Sequence, residues 1–148
     1  MEQKEKQILV SLSTSALTLV FYWWYVYKHQ VAINPDILND FQFWGKTLLV
    51  FIPFAIVAQI VVHILFAIVN KIVTNENLQD KSDERDKLIE LKAIRISHWV
   101  FIAGFFMAML SQAVAMAPSV MFISLIVSGF AASFIADIAK IMMYRKGV

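Results

Sequence analysis

Runs of residues without a charge divide the chain into four candidate membrane spans. A charge at the bilayer centre costs about 2.5–3.5 kcal/mol, and the first two charge-free runs are Gln7–Tyr27 and Thr47–Asn70. The third run, Ile96–Ala136, is about twice as long as the roughly 20 residues that one spanning helix needs. Pro118 near its middle disfavours one unbroken helix, because proline lacks a backbone N–H. The pattern predicts spans at about residues 7–27, 46–72, 95–116 and 119–143.

The connection between the second and third spans carries the densest polar pattern. Half of all charged residues lie within Lys71–Arg95, and we expect residues 73–94 to lie outside the membrane as a cytoplasmic segment. Ser82 or Asp83 can cap a helix here, and Asp86 stands three residues after Asp83, as in a capping box. Since no helix breaker precedes the third span, one helix is predicted from about Ser82 to Met116.

Composition agrees with a membrane protein and excludes several other classes. Hydrophobic residues make up 59% of the 148 residues and charged residues 16%, whereas soluble domains average about 45–50% and about 25%. Four spans leave no room for a separate soluble catalytic domain. The net charge of +2 gives no reason to expect nucleic-acid binding. The absence of cysteine excludes disulfides and thiolate catalysis, and we expect no enzyme activity, cofactor or metal.

The distribution of positive charge predicts the orientation of the chain. Four spans place the N-terminal tail, the central segment and the C-terminal end on one side, with eleven of the thirteen Lys and Arg residues. The other side has only Lys28 and Lys46. The positive-inside rule therefore predicts a multi-pass protein of the cell membrane with both termini in the cytoplasm.

Aromatic residues cluster at the predicted outer end of the first two spans. Five of the six residues in Tyr22–Tyr27 are Tyr or Trp, and such rings favour the level of the lipid headgroups. We interpret Tyr22–Tyr27 as an interfacial anchor. An aromatic ligand site or lipid site is the alternative.

A short motif gives the chain a family resemblance. The stretch Asp83-Glu84-Arg85-Asp86, followed by charged turns and the third span, resembles a motif of small prokaryotic membrane proteins in the DUF2178-like group, whose function is unknown. The resemblance covers spans two to four and includes the ending Tyr144–Gly147. It implies a four-helix integral membrane protein, often encoded beside a small DNA-binding regulator, and no activity. It marks the four motif residues as family-defining positions.

The motif has several possible roles in this chain. Asp83, Glu84, Arg85 and Asp86 can form a capped, solvated helix start. They can instead dock a cytoplasmic protein partner or form an intersubunit ion-pair network at a helix junction. Binding of Mg²⁺ or Ca²⁺ through the carboxylates lacks a supporting glycine-rich loop or second acidic set.

Polar residues inside the spans are the other candidates, because ionisable groups in a membrane mark functional sites by default. Asp137 lies at a depth similar to that of Arg95 and His98, so it can pair with either residue or with Lys140. Gln59 and His63 share a face of the second span. These side chains favour structural pairing, with a proton relay or a zinc site of His63, His98 and Asp137 as alternatives.

Small residues recur at intervals of four on the first, third and fourth spans and predict close helix packing. The fourth span has the longest such series, and the third and first spans have shorter ones; the positions are Ser124, Ser128, Ala132, Ala136, Gly104, Ala108, Ser11 and Ser15. Packing within one chain is the simple interpretation, and a seam between two copies in a homo-oligomer is the alternative.

These features predict an all-α four-transmembrane-helix bundle of two helical hairpins, with both termini inside and the third helix extended into the cytoplasm. The predicted function is that of a non-enzymatic membrane protein, regulatory or scaffolding through its charged segment. The alternative is a small oligomeric transporter or channel that uses the intramembrane polar residues.

Overall fold

A computed structural model describes residues 3–74 and 83–146, and these residues form four long helices without a strand. The helices are α1 (Gln3–Val26), α2 (Phe41–Thr74), α3 (Glu84–Ala113) and α4 (Pro118–Lys146). All four are long and apolar enough to cross a membrane. The prediction of an all-α chain with four such helices is confirmed. Residues 75–82, and with them the central part of the predicted cytoplasmic segment and the candidate cap Ser82, lie outside the described residues.

The connection between α1 and α2 is more helical than the sequence indicated. A π-helical turn at Tyr27–Val31 continues α1, and a 3₁₀ turn follows at Pro35–Asn39. The Asp40 carboxylate then accepts a hydrogen bond of 2.8 Å from the Gln42 amide, which satisfies a donor that the first helical turn leaves open. Helix α2 therefore begins at Phe41, five residues before the predicted span.

The start of α3 confirms the predicted capping box. Asp83 has extended backbone angles, and its side chain accepts from the Glu84 amide at 2.7 Å. In return, the Asp86 carboxylate accepts from the Asp83 amide at 3.0 Å. Helix α3 then runs unbroken from its charged first turns into the apolar part of the chain.

A tight turn joins α3 to α4. Ala115 adopts a positive φ of 58°, in the left-handed region that usually needs glycine. The Met116 amide donates to the Ser111 carbonyl at 2.9 Å, and the Ala115 amide donates to the Gln112 carbonyl at 3.0 Å. This is the hydrogen-bond pattern of a Schellman motif, and Pro118 begins α4 directly after it.

The small residues of α3 and α4 face each other within one chain. A Cβ atom placed on Gly104 would lie 2.0 Å from the Cβ atom of Ser128, so the two backbones approach as closely as glycine permits. Ala108, Ala132 and Ala136 are buried along the same two helices. The small residues predicted for close packing on the third and fourth spans therefore pack against each other within the chain.

The four helices do not share their contacts equally. Helix α1 packs against α2 and α4, whereas α3 packs along its length against α4. Large apolar side chains on α2 and α3, such as Leu49, Leu65, Phe106 and Met107, point outward. Exposed apolar surface of this extent marks an interaction surface, and lipid is the solvent that the four long apolar helices fit.

Candidate functional sites: a charged network and a polar cleft

One end of the structure carries a set of charged and polar side chains from three helices, which we call the charged network: Lys4, Glu5, Arg85, Asp86, Tyr144 and Arg145. Its centre is the Asp86 carboxylate of α3. This carboxylate accepts a hydrogen bond from the Lys4 ammonium of α1 and one of 3.0 Å from the Tyr144 hydroxyl of α4. The residue that completes the cap of α3 therefore also links α3 to α1 and α4.

A second ion pair connects α1 and α4 directly. The Arg145 Nε donates to the Glu5 Oε1 at 3.1 Å, and Glu5 is only 6% exposed. Arg85 adds a bond of 3.3 Å from its guanidinium to the Tyr144 carbonyl. Because Lys4 and Glu5 are neighbours on α1, the first turn of that helix is held to both α3 and α4.

The contacts of the charged network shift the pKa values of its two central groups. The hydrogen bond from Lys4 holds the pKa of Asp86 below its ordinary value. Burial, with the hydrogen bond to Asp86, raises the pKa of Tyr144 to about 12. At neutral pH the carboxylate is therefore ionised and the phenol is protonated, which are the forms that the bond between them requires.

The structure gives each residue of the Asp83–Asp86 motif a distinct environment. Asp83 is the helix cap, Arg85 and Asp86 bind groups on other helices, and Glu84 is exposed. The helix-start role considered from the sequence thus occurs together with an ion pair from Asp86 to Lys4, while an intersubunit network stays a prediction. The observed ion pairs lie within a single chain.

A polar cleft lies between α1, α2 and α4, next to the charged network. Its volume is about 410 Å³. Seven polar side chains and three apolar ones line it: Ser11, Ser15, Thr18, Gln59, Ser133, Asp137, Lys140, Ala55, Ile56 and Phe130. Each of the three helices contributes at least one polar residue, so the cleft is formed only when all three are packed together.

Two contacts organise the walls of the cleft. The Gln59 amide of α2 donates to the Ser11 hydroxyl of α1. The Lys140 ammonium donates to the Asp137 carboxylate at 3.2 Å, one turn away on α4. The Asp137 side chain is 13% exposed and that of Lys140 28%, so the ion pair is half-enclosed by the cleft.

The structure brings together some of the intramembrane polar residues and separates others. Gln59 and Asp137 line the same cleft, and His63 is not among its lining residues. Arg95 and His98 are exposed on α3, whereas Asp137 lines the cleft together with residues of α1 and α2. Lys140 is therefore the partner of Asp137 among the three that the sequence allowed.

The zinc alternative finds no support in the described parts of the chain. Residues 3–74 and 83–146 contain no group of three His, Cys, Asp or Glu side chains placed to hold a metal ion. His98 is exposed on α3, whereas Asp137 lines the cleft between α1, α2 and α4, and His63 is not among the residues that line it.

The opposite end of the molecule is built from aromatic rings. Trp44 is 1% exposed, stacks on Phe122 of α4 at 5.3 Å and donates from its Nε1 to the Leu38 carbonyl at 2.8 Å. On α1, Tyr22 donates to the Thr47 carbonyl at 2.6 Å, while Trp24 is exposed and lies below the Lys28 ammonium. The aromatic cluster thus divides into inward-packed rings, such as Trp44, and exposed rings, such as Trp24.

Sequence reasoning did not identify the residues that complete the charged network and the cleft. Lys4 and Arg145 contributed only to the count of positive charges that predicts the orientation. No sequence pattern marked Glu5. One pattern was available for the cleft: Ser11, Ser15 and Thr18 recur at helical spacing on the first span. A polar stripe on a spanning helix indicates a wet or hydrogen-bonded interface.

No family model matches this sequence, and no curated protein and no solved structure matches it either. The resemblance to the DUF2178-like proteins therefore rests on the residues of the motif alone.

Proposed function

We propose that this chain is a multi-pass protein of the cell membrane, with both termini cytoplasmic, that regulates or scaffolds a cytoplasmic partner and catalyses no reaction. The charged network supports the orientation, because it gathers the start of α1, the start of α3 and the end of α4 at one end. That is the end to which eleven of the thirteen Lys and Arg residues belong in a chain of four spans.

The observation that carries the proposal is an exposed face on the first turns of α3. Glu84, Leu88, Leu91 and Arg95 are all exposed and follow each other at helical spacing. Leu88 and Leu91 are 57% and 64% exposed. The charged network fixes this part of α3 against α1 and α4 through its other side. A rigid helix with two apolar residues between opposite charges fits a partner surface of complementary pattern.

Site-specific photo-crosslinking in native membranes tests the partner docking. A photoreactive residue at Leu91 is expected to give one discrete adduct, which the variant Leu88→Asp abolishes. The same photoreactive residue at Phe106, which is equally exposed on the spanning part of α3, serves as the matched control and should not give that adduct. Identical patterns at both positions would contradict the proposal.

Reporter fusions test the orientation independently. A reporter that works only in the cytoplasm should be active when fused at Glu76 and inactive at Asn39. The opposite result would reverse the proposed sidedness without affecting the docking test.

A transporter or channel is the second candidate function, favoured by one observation. Gln59 and Asp137 line a common cleft that reaches into the spanning region, as a path for ions or polar solutes requires. Flux of protons or ions into proteoliposomes, lowered in Asp137→Asn, is the expected result. Equal flux in protein-free vesicles would dismiss this candidate.

A further inference from the structure

We propose that the polar cleft binds the headgroup of one phospholipid that carries both a primary ammonium and a phosphate, as phosphatidylethanolamine does. The inference concerns the occupant of the cleft between α1, α2 and α4. It depends neither on a cytoplasmic partner nor on transport.

The charges in the cleft favour an occupant that carries both signs. The cleft contains one carboxylate, Asp137, and one ammonium, Lys140, which pair with each other at 3.2 Å. A simple ion that bound one member of this pair would draw it from the other member, which would then be uncompensated in a half-enclosed site. A zwitterion satisfies both, with its ammonium at Asp137 and its phosphate at Lys140.

The uncharged polar side chains distinguish a primary ammonium from a quaternary one. The hydroxyl oxygens of Ser11 and Ser133 and the amide oxygen of Gln59 are acceptors on the cleft walls. A primary ammonium has three N–H groups to donate to these oxygens and to Asp137. A choline headgroup has none, and a glycerol headgroup lacks the positive charge.

The depth of the cleft favours a membrane lipid. Asp137 lies about 28 Å along α4 from its first residue, close to the full thickness of a hydrocarbon core of about 30 Å. The ion pair is therefore at the level where headgroups begin. Phe130 lies two turns deeper on α4 and lines the cleft together with Ala55 and Ile56 of α2 and the uncharged Thr18 of α1. The two charges of the cleft thus lie on the headgroup side of Phe130, as the charges of a phospholipid lie on one side of its acyl chains.

Native mass spectrometry with purified protein tests the proposal. The protein is mixed with equal amounts of phosphatidylethanolamine, phosphatidylcholine and phosphatidylglycerol of identical acyl chains. We expect one phosphatidylethanolamine molecule to be retained about tenfold more strongly than either of the others, since it alone makes charge-assisted bonds to both members of the pair.

Two variants and a matched control assign the preference to the cleft. The double variant Asp137→Asn with Lys140→Gln removes the pair without leaving an unbalanced charge and should lose the preference. Ser133→Leu keeps the ion pair but fills the cleft from an exposed wall position. This variant should also lose the preference for phosphatidylethanolamine. The control Glu90→Gln with Lys92→Gln also removes one carboxylate and one ammonium, but from exposed positions of α3. It should keep the preference for phosphatidylethanolamine. Circular dichroism verifies the helicity of each variant.

The outcomes are distinct. Equal retention of the three lipids, or a preference that survives in both cleft variants, overturns the proposal. Free glycerophosphoethanolamine is the test for a soluble occupant. If it raises the unfolding temperature of lipid-free protein as much as the whole lipid does, the ligand is a soluble zwitterion and the assignment to a membrane lipid is wrong.

Discussion

The two long helix contacts of this molecule are built from opposite kinds of residue. Helices α3 and α4 meet through small residues, with Gly104 so close to Ser128 that a Cβ atom would lie 2.0 Å away. Helices α1 and α2 meet through large rings and polar bonds, such as Tyr22 to Thr47 and Gln59 to Ser11. Both contacts lie in helices that are long and apolar enough to cross a membrane.

The difference shows two ways of associating helices where burial of apolar surface gives no advantage over lipid. Small residues let backbones approach and gain dispersion contacts over a long seam. Aromatic rings provide a large contact area at a few positions, and the hydrogen bonds from their polar groups fix the orientation of the rings. The small-residue seam holds α3 along its length against α4, and the aromatic and polar contacts hold together the three helices that enclose the cleft.

The largest expected effect comes from removing the centre of the aromatic contact. Trp44→Ala should lower the free energy of unfolding by about 3 kcal/mol, because Trp44 is buried, stacks on Phe122 and satisfies the Leu38 carbonyl. Trp99→Ala, at a position 63% exposed, is the control and should change stability little. Reversible unfolding in mixed micelles measures both, and similar losses would refute the importance of the buried stack.

The small-residue contact is broken by one methyl group. Gly104→Ala forces a Cβ atom into Ser128 and should destabilise the protein by about 2 kcal/mol, as overpacking does. Gly129→Ala is the matched control, because nothing lies within 4 Å of its added Cβ atom. It should be neutral or slightly stabilising, since alanine favours helix over glycine. A tolerated Gly104→Ala would show that the two helices can separate without loss.

The charged network connects α1, α3 and α4 at one end of the molecule. Its contribution to the stability of the protein should decrease in acid. Because the Lys4 bond lowers the pKa of Asp86, the stabilisation is complete above the ordinary carboxyl pKa near 4 and is lost as the pH falls below it. Asp86→Asn should cost about 1 kcal/mol at neutral pH and flatten the pH dependence. Unfolding curves between pH 7 and pH 3 compare the two proteins, and parallel curves would contradict the role of Asp86.

The smallest effect sharpens the α3–α4 contact at its turn. Ala115 has a φ of 58°, a conformation that costs a residue with a Cβ atom about 1–2 kcal/mol. Ala115→Gly removes this cost but loses more chain entropy on folding, so a net gain of about 0.5 kcal/mol is expected. The same unfolding assay should show it, whereas Ala113→Gly, inside α3, should lose stability.

Local signals in the sequence predicted the helices and several of their ends. Asp83 and Asp86 predicted the cap of α3, and Pro118 predicted the break before α4. These features depend on neighbouring residues, so the sequence contains them fully. The start of α2 was displaced because Asp40 acts as a cap while Lys46, taken from the sequence as the boundary, lies within the helix.

The sequence did not predict which helices pack against each other, and the residues of the candidate sites could therefore not be paired correctly. Counting residues along the helices predicts that Asp137, Arg95 and His98 lie at the same depth. This count does not predict which side of a helix each residue occupies. Which side of α4 each neighbour occupies depends on the Gly104–Ser128 contact and on the aromatic stack, both set by pairing of distant residues. Asp137 consequently faces α1 and α2, and its partner is Lys140.

The position of α3 at the edge of the molecule has a consequence for synthesis of the chain. Helices leave the ribosome in order, so α3 enters the membrane before α4, the one helix along which it packs in the described structure. Until Pro118 and the residues after it are inserted, α3 has only lipid around its glycine seam. Before α4 is inserted, the nascent chain therefore has a first helix pair and a third helix without its long seam, and the bonds that Tyr144 and Arg145 make in the charged network are still to form.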